Sequence, residues 1–204
     1  MRTTEETMKP YFLSHPVGAV YVVALLGWYI LEFRQFARQR AWRKATAEAG
    51  PQVYWTAFWF GSIVAVIVLM VAPFVAPAAD MTHRGVAFGV GTAMLVAGAA
   101  LRAWSFRTLG QYSTYAVKVS PDQPVVTAGP YRVLRHPAFA GGLLAVLGIG
   151  VLYGNWVSLA TFAAVFGGLT LWRIAIEEHA LLAVLGRRYG SYAAQHKRLV
   201  PLVW

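Results

Sequence analysis

Residues 138–172 read AFAGGLLAVLGIGVLYGNWVSLATFAAVFGGLTLW and hold no Asp, Glu, Lys or Arg. Two apolar runs, 138–153 and 156–172, are separated only by Gly154-Asn155, a dipeptide that breaks a helix and sends the chain straight back. The stretch predicts an antiparallel helical hairpin inside a membrane. Each arm is short for a bilayer, so tilt or buried ends are expected.

Three more runs of similar character lie upstream, at 17–33, 56–76 and 85–104. At about 20 residues per span, five runs nearly exhaust 204 residues. The expectation is an all-α integral membrane protein of five transmembrane helices, with 1–204 as one domain. Composition agrees. The chain is 58% hydrophobic and 13% charged, with eight Trp, ten Tyr and eleven Phe, against roughly 45–50% apolar and about 25% charged in soluble domains. This excludes disorder, collagen-like repeats and a disulfide scaffold. With no cysteine there is no thiolate metal site and no cysteine nucleophile, and no metal is expected.

The net charge of +10 would suggest nucleic acid in a soluble protein. Its distribution has a different source. Arg34, Arg38, Arg40, Arg43 and Lys44 follow the first run as a stop-transfer flank, which places that side in the cytoplasm and argues against a cleaved signal peptide. Arg102, Arg107, Lys118, Arg132 and Arg135 fall on the same side, as do Arg173, Arg187, Arg188, Lys197 and Arg198. Only Arg2, Lys9 and Arg84 fall opposite. Fifteen against three predicts an outside N-terminus and a cytoplasmic C-terminus, with no nucleic-acid partner. In the third run Gly85, Gly89, Ala93 and Ala97 recur every four residues, a small-residue stripe expected to pack against another helix of the same chain, or else to pair two copies.

Charge within apolar spans is costly and marks function by default. Glu177 and Glu178 lie where the fifth helix, expected to continue to Leu185 and end at Gly186, leaves the bilayer. Arg173 and Glu177 are four apart and share a face, while Glu178 points about 100° away. An interfacial salt bridge is the plain alternative to a site here. The segment 105–137 tips the balance. Four prolines bar it from being a simple helix, and a structured loop of this length is usually functional. It ends in Arg135-His136-Pro137, with Gly141-Gly142 at the head of the fourth run, a helix start suited to an anion. Tyr189, Tyr192 and Arg198 continue the theme in the C-terminal segment.

The stretch Gly129-Pro-Tyr-Arg-Val-Leu-Arg-His-Pro-Ala-Phe-Ala-Gly141 resembles the signature of the isoprenylcysteine carboxyl methyltransferase family. So do Arg173-Ile-Ala-Ile-Glu177-Glu178, Gly186-x-x-Tyr189-x-x-Tyr192 and Arg198-Leu-Val-Pro201. The resemblance covers about 98–204 and reaches back through Thr108-Leu109-Gly110 and Val126-Thr127. Two positions depart: Phe139 stands where the family usually has Tyr, and Leu185 where Phe is usual.

The resemblance implies a multi-pass methyltransferase using S-adenosylmethionine, with a cytoplasmic cofactor pocket made by the 105–137 loop, the end of the fifth helix and the tail. Its implied cofactor-binding residues are Tyr131, Arg135, His136, Pro137, Gly141, Glu177, Tyr189, Tyr192 and Arg198, and its implied catalytic residues Arg173 and Glu178. The expected acceptor is a lipophilic small molecule or prenylated partner bearing an isoprenylcysteine-type carboxylate, with membrane lipid as a further partner. Rival readings are an ethanolamine-lipid or small-thiol methyltransferase, a sterol-type reductase, or a non-catalytic transporter or scaffold. The reductases are larger, and no internal repeat of transporter kind is visible. A bacterial inner membrane and a monomer or homodimer complete the expectations.

Overall fold

The computed structural model describes residues 18–40, 52–113 and 119–200. Arg2, Lys9, Arg43, Lys44, Lys118 and the terminal 201–204, which entered the charge and motif readings, lie outside them. Six α-helices follow in order: α1 Gly18–Arg40, α2 Gln52–Val75, α3 Arg84–Leu109, α4 Pro137–Leu152, α5 Trp156–Leu185 and α6 Arg187–Gln195. Short 3-10 turns occupy Pro77–Ala79, Gly110–Tyr112 and Gly129–Arg132. Among the described residues there is no strand, only isolated bridges at Asp80–Asn155 and Leu134–Lys197.

Among the described residues, three segments are long and apolar enough to cross a membrane: Thr56–Val75, Arg84–Tyr112 and Trp156–Leu185. Helix α4, with 16 residues, is a shorter apolar helix. The outward faces of α1, α2 and α3 carry Val23, Phe33, Trp59, Phe60, Val75 and Val86, all exposed. Apolar surface on this scale needs lipid around it. The chain is an integral membrane protein.

The predicted hairpin is present, and Asn155 is what fixes it. Gly154 takes φ +64, and Asn155 caps α5 by accepting from the backbone N–H groups of Val157 and Ser158. Its amide donates to the Ala76 carbonyl at 3.2 Å and to Asp80 Oδ1 at 2.9 Å, while Asp80 pairs with Arg84. One fully buried side chain therefore joins the ends of α2 and α3 to the α4–α5 turn.

The small-residue stripe does not pack against another helix of the same chain among the described residues. Gly85, Gly89, Ala93 and Ala97 are exposed, and a Cβ on Gly89 would meet nothing. The face of α3 that packs on α4 is Gly91, Leu95 and Gly98. A Cβ at Gly91 would stand 2.6 Å from the Gly148 carbonyl oxygen, and one at Gly98 2.5 Å from that of Gly141. The two helices thus run antiparallel with glycines seven apart on each. Spacing by four advances about 40° per step and drifts off a contact line, whereas spacing by seven stays close to it. Leu95, Ala145, Leu152 and Phe88 fill the adjoining core with Ala65 and Leu69 of α2 and Phe162 of α5.

The third helix also outruns its expected end at 104, reaching Leu109, so the loop begins at 110 rather than 105. Apolar content falls at 105, yet Ser105 and Thr108 return their hydroxyls to the carbonyls four residues back, at 2.7 and 2.9 Å. Polar side chains satisfied on their own helix do not end it. Gly110, at φ +55, does. Gly186, at φ +53, ends α5 where the sequence predicts.

Candidate active site

The site grows from the turn that starts α4. Gly129 takes φ +56 against Thr108, where a Cβ would sit 2.8 Å from the threonine oxygen, and the chain then coils through Pro130 and Tyr131. Pro137 opens α4 and is fully buried, with His136 at the N-cap position.

The C-terminal segment runs beside this turn. The backbone N–H groups of Arg135 and His136 donate to the carbonyls of Lys197 and Arg198 at 2.7 and 3.0 Å. From α6, the Tyr192 hydroxyl lies 2.8 Å from the Tyr131 carbonyl and 3.1 Å from that of Leu134. Arg188 ties the loop down by donating to the carbonyls of Pro121 and Gln123. Leu185, Tyr189 and Tyr192 form a small core with Val119, Val125 and Leu181.

Three donors converge inside this frame on one carboxylate. Glu178 accepts from Arg135 Nη1 at 2.5 Å, from Arg198 Nε at 3.0 Å and from His136 Nε2 at 3.3 Å. A carboxylate only accepts, so this contact puts the imidazole hydrogen on Nε2. The other ring nitrogen faces Glu177 at 3.8 Å. The two glutamates differ in exposure, with 9% of the Glu178 side chain accessible against 29% for Glu177. His136 is 3% exposed. Three buried side-chain polar atoms lack a hydrogen-bond partner among the described residues, and two of them, Arg135 Nε and the Tyr189 hydroxyl, lie at this site.

Burial drives the phenols upward. Tyr131 and Tyr189 are pushed well above the usual tyrosine range, chiefly by desolvation and then by the neighbouring glutamates. Tyr192 is pushed up to about 12 by burial, partly offset by Arg135. A phenol raised this way favours folding while protonated. That contribution is whole below pH 10 and is lost as pH rises towards 12. Tyr192→Phe is expected to cost about 1 kcal/mol at neutral pH, the worth of one hydrogen bond. It should also flatten part of the alkaline loss between pH 10 and 12, which chemical denaturation in detergent would read.

Of the residues expected at the site, Tyr131, Arg135, His136, Pro137, Glu177, Glu178, Tyr189, Tyr192 and Arg198 assemble at this junction. Arg173 lies one turn deeper, 4% exposed, with its guanidinium 5.7 Å from the centre of the Tyr54 ring, which Trp172 meets edge-on at 5.4 Å. Gly141 faces α3: a Cβ there would stand 2.7 Å from Arg102 N. Phe139 places its ring 5.8 Å from His136. Sequence reading missed Tyr54, Glu32 and Arg102. The available signal was Glu32, an acid among the apolar residues of the first run.

The family model for phospholipid methyltransferases matches residues 86–188, just over half of the chain. The chain belongs to that family. Protein-S-isoprenylcysteine O-methyltransferase B of Arabidopsis thaliana is 34% identical to this phospholipid methyltransferase family member over 115 residues, which are 55% of this chain and 58% of the relative. The Schizosaccharomyces pombe protein-S-isoprenylcysteine O-methyltransferase is 32% identical over 111 residues, 53% of this chain and 47% of that one. This family member thus spans about half the length of those curated relatives. Among solved structures, the eukaryotic intramembrane Ras methyltransferase ICMT shares the fold, with a TM-score of 0.60 at 23% identity over 72% of this chain and 52% of that one. The resemblance to isoprenylcysteine carboxyl methyltransferases is borne out.

Proposed function

We propose that this protein transfers a methyl group from S-adenosylmethionine to a lipophilic acceptor carboxylate of isoprenylcysteine type. The observation that carries the reading is the convergence of Arg135, His136 and Arg198 on Glu178, where the start of α4, the end of α5 and the tail meet.

The residues fit that cofactor. It carries a carboxylate, an ammonium and a sulfonium. Arg135 Nε and the Tyr189 hydroxyl are buried donors still without a partner among the described residues, suited to the carboxylate and ribose oxygens. Glu177, the more accessible acid, suits the ammonium. Rings of Tyr131, Tyr189 and Tyr192 suit a sulfonium. Bound there, the cofactor supplies an electrophilic methyl group.

The protein's own task is positioning and exclusion of water, because charge is neutralised as the methyl moves. Arg173, buried against Tyr54, suits the anionic group of the acceptor. A carboxylate acceptor is ionised at pH 7 and needs no base. An amine or thiol would need a proton acceptor, and Glu178 already accepts from three donors. This favours the carboxylate. The reading is completed by five spans, an outside N-terminus and a site on the cytoplasmic side of a bacterial inner membrane.

The test uses purified protein in detergent with labelled S-adenosylmethionine, offered in parallel a small isoprenylcysteine, an ethanolamine lipid and a lipophilic thiol. Label in the isoprenylcysteine methyl ester is expected. The cofactor at about 100 times its dissociation constant should also stabilise the fold by about 2.7 kcal/mol. Label confined to lipid or thiol, or a melting curve indifferent to cofactor, would overturn the proposal.

A further inference from the structure

Arg102 of α3 lies inside the bundle and uses both sides of its guanidinium. One edge is bidentate on Glu32 of α1, with Nε donating to Oε1 at 2.5 Å and Nη2 to Oε2 at 3.1 Å. The remaining arm, Nη1, donates to the Ala138 carbonyl in the first turn of α4 at 2.8 Å. Phe106 and Trp28 flank the cation, 4.6 and 5.8 Å away. A staple holding α1 to α3 would need only the first edge.

The second contact is the informative one, because it reaches the turn carrying His136. The His136 carbonyl accepts from Phe139 N and Ala140 N, so His136 and Ala138 belong to one hydrogen-bonded turn. Two glycines make room for the arginine: a Cβ on Gly141 would stand 2.7 Å from Arg102 N, and one on Gly142 3.0 Å from Nη1. Either would press on the backbone or on the arm that reaches Ala138.

We infer that Arg102 is a positioning residue for the site: with Glu32 as its counter-charge, it holds the first turn of α4 by the Ala138 carbonyl and so aims His136 at Glu178. An element outside the family-matched residues, α1, thereby takes part in setting the site. Arginine is required because its fork serves the acid and the carbonyl together, whereas a lysine ammonium is a single point of charge on a flexible stem. The inference deepens the proposed methyltransferase reading, on which its cofactor arm rests.

The test compares Arg102→Lys, which keeps the charge facing Glu32, with Gly142→Ala, which keeps the arginine but crowds Nη1. Arg107→Lys, exposed on the same helix, is the control. Two readouts are taken on full-length protein in detergent. One is the His136 ring resonance in histidine-labelled, cofactor-free protein, assigned through His136→Gln. The other is calorimetric affinity for S-adenosylhomocysteine. Arg102→Lys and Gly142→Ala should both shift the His136 resonance and weaken affinity about tenfold, within the ~100-fold that a 1 Å misplacement can cost. The control should match wild type. If Arg102→Lys does not fold, Gly142→Ala carries the test alone.

An unmoved His136 resonance in the folded variants overturns the inference, whatever the affinity does. A moved resonance with affinity unchanged overturns the claim that this turn sets the cofactor site. A moved resonance in a protein that binds no cofactor even as wild type leaves the positioning standing and sinks the methyltransferase reading instead.

Discussion

Glu178→Gln is expected to reduce methyl transfer by at least ~100-fold, a loss of positioning, and to lower folding stability by about 3 kcal/mol, the low end for breaking a buried ion pair. Glutamine keeps the shape and one acceptor but removes the negative charge on which Arg135, His136 and Arg198 converge. Arg135, with 15% of its side chain accessible, is left the more stranded cation. Arg198, at 36%, turns to water at small cost, so it adds little to the loss.

Glu177→Gln should behave differently. Its carboxylate is 29% accessible and stands 3.8 Å from His136, beyond a hydrogen bond, so stability should change by less than about 0.5 kcal/mol. Cofactor affinity should fall by about 1.5–3 kcal/mol, the scale of a hydrogen bond to a charged group. Denaturation of cofactor-free protein and calorimetry with S-adenosylhomocysteine, run on both variants, separate the roles. If the two glutamates lose stability and affinity equally, the division into a buried hub and an open ligand is wrong.

The contrast between these neighbours marks where sequence reading stops. That two adjacent acids at the end of the fifth helix belonged with Arg135-His136 was legible, because each sits in a contiguous motif. Which acid turns inward was not. It depends on how α5 rotates against α4 and on where the tail lies, and these are set by contacts such as Arg135 N to Lys197 O, 62 positions apart in the chain. The helices themselves were legible from apolar runs and from glycines at 154 and 186 that take positive φ. The end of α3 was not, because polarity at 105 says nothing about whether a hydroxyl is satisfied four residues back. Arg102 looked like one more cytoplasmic flank charge. Its partner Glu32 lies 70 positions away, and no local pattern joins them.

The helix contact that was misread as a stripe of four yields the second large effect. Gly98→Ala is expected to destabilise the protein by about 3 kcal/mol, the upper part of the usual range for overpacking. The added Cβ would lie 2.5 Å from both Ala145 N and the Gly141 carbonyl oxygen. Both are backbone atoms, so no rotamer change relieves the clash and the helices must separate by about 1 Å. Helix α4 starts at the turn bearing His136, and a displacement of that size can cost ~100-fold in turnover. Activity should therefore fall further than the loss of stability alone explains. Gly89→Ala is the matched control on the same helix. Nothing lies within 4 Å of its added Cβ, and alanine is the better helix former by about 1 kcal/mol, so stability should hold or rise. Unfolding free energies and specific activities of the two variants in one detergent decide the matter. Loss at Gly89 with tolerance at Gly98 would mean that α3 packs through Gly85, Gly89, Ala93 and Ala97 after all, and that the face joining it to α4 is misplaced.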